Sequence, residues 1–164
     1  MPEMSLFGWF HTIVGIAALL SGVYSLAKYK VIMAKHVSAK IYLICTFIAA
    51  TSALGIYHAT GSFNPAHALA ILTLLALLVG RVAEMTKWFR GLSPYLQATA
   101  YSATFLFHMI PAITDGLMRL PVGDPIVTDN EDPFLRGFYL AFLIMYVVGL
   151  SLQFLWLRKN GGND

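Results

Sequence analysis

The sequence predicts an all-α integral membrane protein, a helical bundle of five transmembrane helices with the N-terminus outside and the C-terminus in the cytoplasm. Three observations predict it: the composition, the spacing of the apolar runs, and the one-sided placing of the charges. Of 164 residues, 58% are hydrophobic and 12% are charged, against roughly 25% charged in an ordinary soluble domain. The mean hydropathy is +0.69. This composition disfavours both a soluble fold and a disordered chain.

Five runs are apolar enough to span a bilayer, and each is near the ~20 residues that a crossing helix needs. They cover residues 8–29, 37–60, 66–86, 93–117 and 134–157, within one domain that comprises residues 1–164. Only Glu3 is charged ahead of the first run, so we expect a retained span and not a cleaved signal peptide. The fourth run is the most polar, and we expect its polar side chains to face the inside of the bundle.

Two connections have sequences that predict their structure. Asn64 followed by Pro65 is typical of a helix N-cap and first helical residue, so the third span should begin there. Residues 118–133 contain three prolines, a glycine and several acidic residues. We expect this segment to be an ordered or semi-extended outer loop and not a further helix.

The charges predict the orientation. Of the 11 basic residues, nine fall on one side of the predicted spans, and six of the 8 acidic residues fall on the other. By the positive-inside rule the basic side is cytoplasmic. The basic residues lie between apolar runs and do not share one face, so the sequence gives no indication of nucleic-acid binding. With a single cysteine, Cys45, the chain has neither an internal disulfide nor a CxxC redox pair.

Five histidines are the candidate functional residues, because an ionisable side chain within a span usually faces a site or a water-filled cavity. His11, His58, His67 and His108 come from four different predicted spans and lie toward the outer leaflet. His36 lies on the cytoplasmic side among lysines. We expect His36 to be a solvated or headgroup-facing residue at a helix start.

Residues three, four and seven apart share a helix surface, which predicts what surrounds each histidine. His11 is followed on one face by Gly15, Ala18 and Gly22, a stripe that can admit a helix backbone or a flat ligand. Thr51 and Gly55 lie on the same predicted face as His58, and this face of the second span should point into the bundle. In the fourth span, one polar face carries Tyr101, Thr104, His108, Pro111 and Asp115. This face should point into the bundle.

Imidazoles from several helices, with few other polar groups, favour b-type haem, whose iron takes two axial histidines while apolar and small residues hold the macrocycle. His11 and His108 are the first choice of axial ligands. His58 and His67 are then the alternative pair or partners of the propionates, with Gly15 and Gly55 beside the macrocycle. Asp115 would orient a histidine or a water. The expected function is electron transfer between a quinol and an outer-side partner.

Two other interpretations stay open. A His/Asp cluster of His11, His58, His67 and Asp115, with His108 about two turns deeper, could bind zinc or copper. Alternatively, the histidines make interhelical hydrogen bonds and the chain is a non-catalytic subunit that assembles with other membrane or periplasmic proteins.

The remaining groups of polar residues are less specific. Arg81 and Glu84, three residues apart, should form a structural ion pair. The chain contains none of the usual hydrolase, nucleotide-binding or di-iron desaturase motifs.

A resemblance supports the membrane assignment. His11 and Gly15 in the first span, Lys35 and His36 before the second, and PAHALAILTLLALLVGR opening the third resemble small bacterial multi-span proteins of uncharacterised function. The likeness covers about residues 8–90. It implies a location in the bacterial inner membrane and no particular activity. The placing of the histidines is also similar in kind to di-haem membrane cytochromes, but the paired inner and outer ligands of those proteins are missing here, which argues against a second haem.

Overall fold

The computed structural model describes residues 5–55, 62–86 and 88–160. These residues are helical with no strand, and they form five long helices and one 3₁₀ turn, Arg90–Leu92. The long helices are α1 (Leu6–Tyr29), α2 (Val37–Gly55), α3 (Pro65–Met85), α4 (Ser93–Arg119) and α5 (Pro133–Asn160). Each predicted span contains one of them, with ends that agree to within three residues wherever the chain is described. The predicted end of the second span, residues 56–60, lies outside the described residues.

Local sequence explains where the helices begin and end. The Ser5 hydroxyl accepts a hydrogen bond from the Gly8 N–H at 3.1 Å and caps α1. The same helix ends at Lys30, whose φ of 68° lies in the left-handed region. Asn64 caps α3 and Pro65 is its first residue, which confirms the prediction made from this dipeptide. Capping satisfies backbone N–H groups that have no partner within the helix.

Helices α1 to α4 form a four-helix bundle in which each helix packs against the next in the chain. A smaller contact between α1 and α4 closes the ring, and α5 packs on the outer side of α4. The central cluster takes side chains from all four helices and from the connection after α1. Its buried members are Ala18, Ile32, Ala39, Tyr42, Leu77 and Tyr101.

Two glycines let tyrosines reach this core. A Cβ on Gly80 of α3 would lie 2.4 Å from Cε1 of Tyr101, and a Cβ on Gly22 of α1 would lie 2.8 Å from Cδ2 of Tyr42. Those distances are far below van der Waals contact, so each glycine is the space in which a tyrosine ring lies. The stripe of small residues that follows His11 ends at Gly22. At Gly22 the space is therefore filled by the Tyr42 side chain of α2 and not by a flat ligand.

The inward face of α2 differs from the predicted one. Thr51 and Gly55 are exposed, and the Thr51 hydroxyl bonds back to the Phe47 carbonyl of its own helix at 2.8 Å. The prediction placed Thr51 on the histidine-bearing inner face and was wrong, because α2 instead turns a different set of residues inward. They are Ala39, Tyr42, Thr46, Ala49, Ala50 and Ser52.

Four of the five helices, α1, α2, α3 and α5, are long and apolar enough to cross a membrane. In the most apolar windows of α1 and α5, only 11% and 6% of residues are buried inside the chain, so most of their apolar surface requires another apolar environment. This is the expected surface of a protein in contact with lipid. Helix α4 carries more polar residues. It lies between α3 and α5, where its buried groups find partners on neighbouring helices.

The segment between α4 and α5, residues 120–132, is a non-helical loop. The Val127 N–H donates to the Leu117 carbonyl at 3.1 Å and the Ile126 N–H to the Leu120 carbonyl at 3.2 Å. Val127 is 1% exposed. These contacts tie the middle of the loop to the end of α4.

Candidate functional site

His11 is held by a hydroxyl of the neighbouring helix. Its Nδ1 atom lies 2.9 Å from Oγ of Ser52 on α2, and the imidazole is partly buried. Ser52 itself donates to the Ala49 carbonyl at 2.9 Å. Ser52 of α2 thus fixes the position of the His11 ring, which belongs to α1.

His108 on α4 has a similar partner on α2. Its Nε2 atom lies 3.1 Å from Oγ1 of Thr46, which is fully buried. The edge of the ring packs against Tyr42, with the ring centroids 6.5 Å apart and an interplanar angle of 64°. The Tyr42 hydroxyl in turn makes a 2.6 Å hydrogen bond with Oγ1 of Thr104, one turn before His108. Tyr101, Thr104 and His108, three residues of the predicted polar face of α4, therefore do point into the bundle.

The two histidines chosen first as a ligand pair both contact buried residues of α2. Their partners, Ser52 and Thr46, are six residues apart, or about 9 Å along the helix. Asp115 is exposed and pairs with Arg119 one turn along α4, with Nε and Oδ1 3.6 Å apart. Both imidazoles are positioned by hydroxyls of α2, which the sequence interpretation did not single out.

The other predicted histidines are placed differently. His67 is buried at the start of α3, where its Nδ1 accepts from the Asn64 N–H at 3.2 Å in a reciprocal capping arrangement, and its ring stacks on Phe63. His58 lies outside the described residues. His36, half-buried just before α2, stacks on Tyr29 with ring centroids 3.6 Å apart.

The two glycines assigned to a macrocycle have unequal surroundings. A Cβ on Gly15 would meet no atom within 4 Å, so the α1 surface below His11 has open space at this point. A Cβ on Gly55 would lie 3.2 Å from the Phe7 ring. The absence of a side chain at Gly55 therefore makes room for the Phe7 ring of α1, so this glycine accommodates a neighbouring helix.

No grouping of three or more His, Cys, Asp or Glu residues that could hold a metal ion occurs within residues 5–55, 62–86 and 88–160. The metal-ion interpretation also used His58, which lies outside the described residues. A pair of imidazoles is what an axially ligated haem requires, whereas a structural zinc site requires four protein ligands.

A second polar cluster lies at the opposite, basic end of the bundle, and sequence reasoning found only half of it. Arg81 and Glu84 form the predicted pair, with Nη1 and Oε2 2.9 Å apart. The same Oε2 accepts from the Tyr101 hydroxyl at 2.9 Å, and Oε1 accepts from the Ala34 N–H. Glu84 thus joins α3, α4 and the connection between α1 and α2. The partners come from positions far apart in the sequence, so spacing alone could not reveal them.

Comparisons with known proteins found no matching family model, no match among curated proteins and no match among solved structures.

Proposed function

We propose that this chain is a membrane-embedded redox protein that binds one b-type haem through His11 and His108. The observation that supports it is that both imidazoles, from α1 and α4, contact hydroxyls on the inward face of α2, His11 at Ser52 and His108 at Thr46. The proposal extends to all five helices as spans, to an outer-side haem, and to transfer of electrons between a quinol and an outer-side partner. The haem would supply a centre that gains and loses one electron.

His11 is the better arranged of the two. A ligating histidine usually binds the metal through one ring nitrogen and hydrogen-bonds through the other, which fixes the ring orientation. The Ser52 bond to Nδ1 of His11 is such a contact, and it leaves Nε2 as the ligating atom. The open space at Gly15, one turn below, lies beside the same face of α1. These residues fit one side of a haem.

His108 fits only after a change of partner. The nitrogen that usually ligates haem iron, Nε2, is 3.1 Å from the Thr46 hydroxyl. His108 would therefore give up Thr46, or bind through Nδ1. Asp115 would orient a ligating histidine or an ordered water.

Protein purified in detergent from cells supplied with a haem precursor would test the proposal by its absorption spectrum. We expect a Soret band and, on reduction, sharpened α and β bands. His11→Ala and His108→Ala should each abolish these bands. His36→Ala is the matched control, because His36 stacks on Tyr29 outside the site, and it should leave the spectrum unchanged.

Each other result would favour one of the rival interpretations. Stoichiometric zinc or copper without haem bands, lost in variants of His11, His58 or His67, would replace haem by a metal ion. Neither haem nor metal in a folded preparation would leave the imidazoles as interhelical hydrogen-bonding groups of a non-catalytic subunit. Haem bands that survive in both His11→Ala and His108→Ala would show that the ligands are other residues.

A further inference from the structure

A cavity of about 770 Å³ opens between α2 and α3 at the basic end of the bundle. Each wall is one helix face, formed by residues at i, i+3, i+4 and i+7. The α2 wall consists of Lys40, Leu43, Ile44 and Phe47, and the α3 wall of Leu74, Leu77, Leu78 and Arg81. Tyr101 and Glu84 lie at the inner side, and Lys35 at the mouth. We call this cavity the α2–α3 groove.

The groove has a charged end and an apolar end. Both Lys35 and Lys40 are exposed, and no ion pair among the described residues includes either of them. The charge of Arg81 is balanced by Glu84, whose carboxylate is further satisfied by Tyr101 and the Ala34 N–H. The two lysines therefore leave the mouth with excess positive charge. Beyond it, the walls are leucine, isoleucine and phenylalanine for about one helical turn on each helix, or roughly 6 Å.

From this arrangement we propose that the α2–α3 groove binds an anionic phospholipid, with its phosphate between Lys35 and Lys40 and an acyl chain along the apolar walls. Ammonium groups bind phosphate as point charges, and basic residues near a membrane surface attract anionic lipids. A free phosphate would use the lysines but leave the apolar walls uncovered. A neutral quinone would cover the walls but leave the lysines unpaired. A lipid with a negative headgroup uses both ends of the groove.

The proposal is independent of haem, because the groove and His11 share no residue. It can be tested with protein in nanodiscs or detergent that contain equal amounts of phosphatidylglycerol and phosphatidylcholine with identical acyl chains. Lipid that stays bound is then counted by native mass spectrometry. We expect the wild type to retain phosphatidylglycerol preferentially. Replacing both lysines, in K35A/K40A, should reduce this retention by about five-fold for each lysine.

The matched control is K28A/K30A, which removes two positive charges from the same end of the bundle but from outside the groove. It should keep the preference of the wild type. Equal loss in both double variants, or no preference in the wild type, would overturn the proposal, since general surface charge would then explain the binding. Displacement of phosphatidylglycerol by inorganic phosphate, but not by sodium chloride of equal ionic strength, would show a free-phosphate site instead.

The apolar half of the groove is tested separately. Leu78 is 60% exposed on the α3 wall, so Leu78→Trp should narrow the groove without disturbing the core. We expect it to weaken retention of phosphatidylglycerol. Leu152→Trp, at a similarly exposed position on α5, is the control and should have no effect. Unchanged retention in Leu78→Trp would show that no acyl chain lies along these walls and would contradict the proposal.

Discussion

The phenol of Tyr101 on α4 donates a 2.9 Å hydrogen bond to the carboxylate of Glu84 on α3, and this bond joins two helices at the basic end of the bundle. The Tyr101 ring is 1% exposed, and it occupies the space left by Gly80 one turn before Glu84. Shape and hydrogen bonding therefore position the same side chain. Together they fix how deeply α4 packs against α3.

Removal of the Tyr101 hydroxyl should loosen this junction. Tyr101→Phe keeps the ring but leaves one carboxylate oxygen of Glu84 with Arg81 as its partner. Interhelical hydrogen bonds in membrane proteins contribute about 0.6 kcal/mol on average and up to about 1.7 kcal/mol, so we expect a loss of stability within that range. Thermal unfolding in detergent would measure it. Tyr95→Phe, on the same helix, is the control and should unfold like the wild type; equal effects in both variants would argue against a special role for the Glu84 bond.

The space at Gly80 should not accept even a methyl group. In Gly80→Ala the new Cβ would lie 2.4 Å from the Tyr101 ring, so either α3 and α4 separate or Tyr101 leaves Glu84. Overpacking of this kind typically costs about 1–3 kcal/mol. Gly149→Ala on α5, where a Cβ would meet nothing within 4 Å, should be neutral or slightly stabilising. Comparison of the two melting temperatures checks this, and similar values would show that the helices separate without cost.

The Asn64 cap should contribute to the stability of α3. The Asn64 side chain accepts from the Ala66 and His67 N–H groups, and Asn64→Ala leaves both without this partner. We expect destabilisation of about 1 kcal/mol, detectable as a lower melting temperature and faster amide hydrogen exchange at residues 66–68. Thr51→Ala removes an exposed hydroxyl that bonds only within its own helix, and it should have little effect. A cap variant as stable as Thr51→Ala would contradict the prediction.

Thr46 distinguishes a ligating His108 from a structural one. If His108 ligates haem through Nε2, Thr46→Val removes a competing partner of similar size, and haem occupancy should be unchanged or higher. Ser52→Ala should instead lower occupancy, because it frees the His11 ring that Ser52 orients. Haem absorbance per protein measures both. Loss of haem in Thr46→Val, in protein that remains folded, would show that the threonine supports the site and does not compete with the iron.

The sequence alone determined the helical class, the approximate helix ends and the Asn64 cap, because apolar run length, proline and capping residues act within a few residues of themselves. It also determined the Arg81–Glu84 pair, whose members lie one turn apart. The prediction that Thr51 faces inward with His58 was wrong. Spacing states which residues share a face of a helix but not which face turns inward.

Only the tertiary structure decided the rest. Packing determined which residues pair across helices. His11 pairs with Ser52, 41 residues away in the sequence, and His108 with Thr46, 62 residues away. Glu84 pairs with Tyr101, 17 residues away. Packing also leaves a space between the facing surfaces of α2 and α3, and this space is the α2–α3 groove. The physical reason is that a helix can bury any of several similar faces in a membrane, where lipid and protein are equally apolar. The complementary shapes of side chains such as Gly80 and Tyr101 select one.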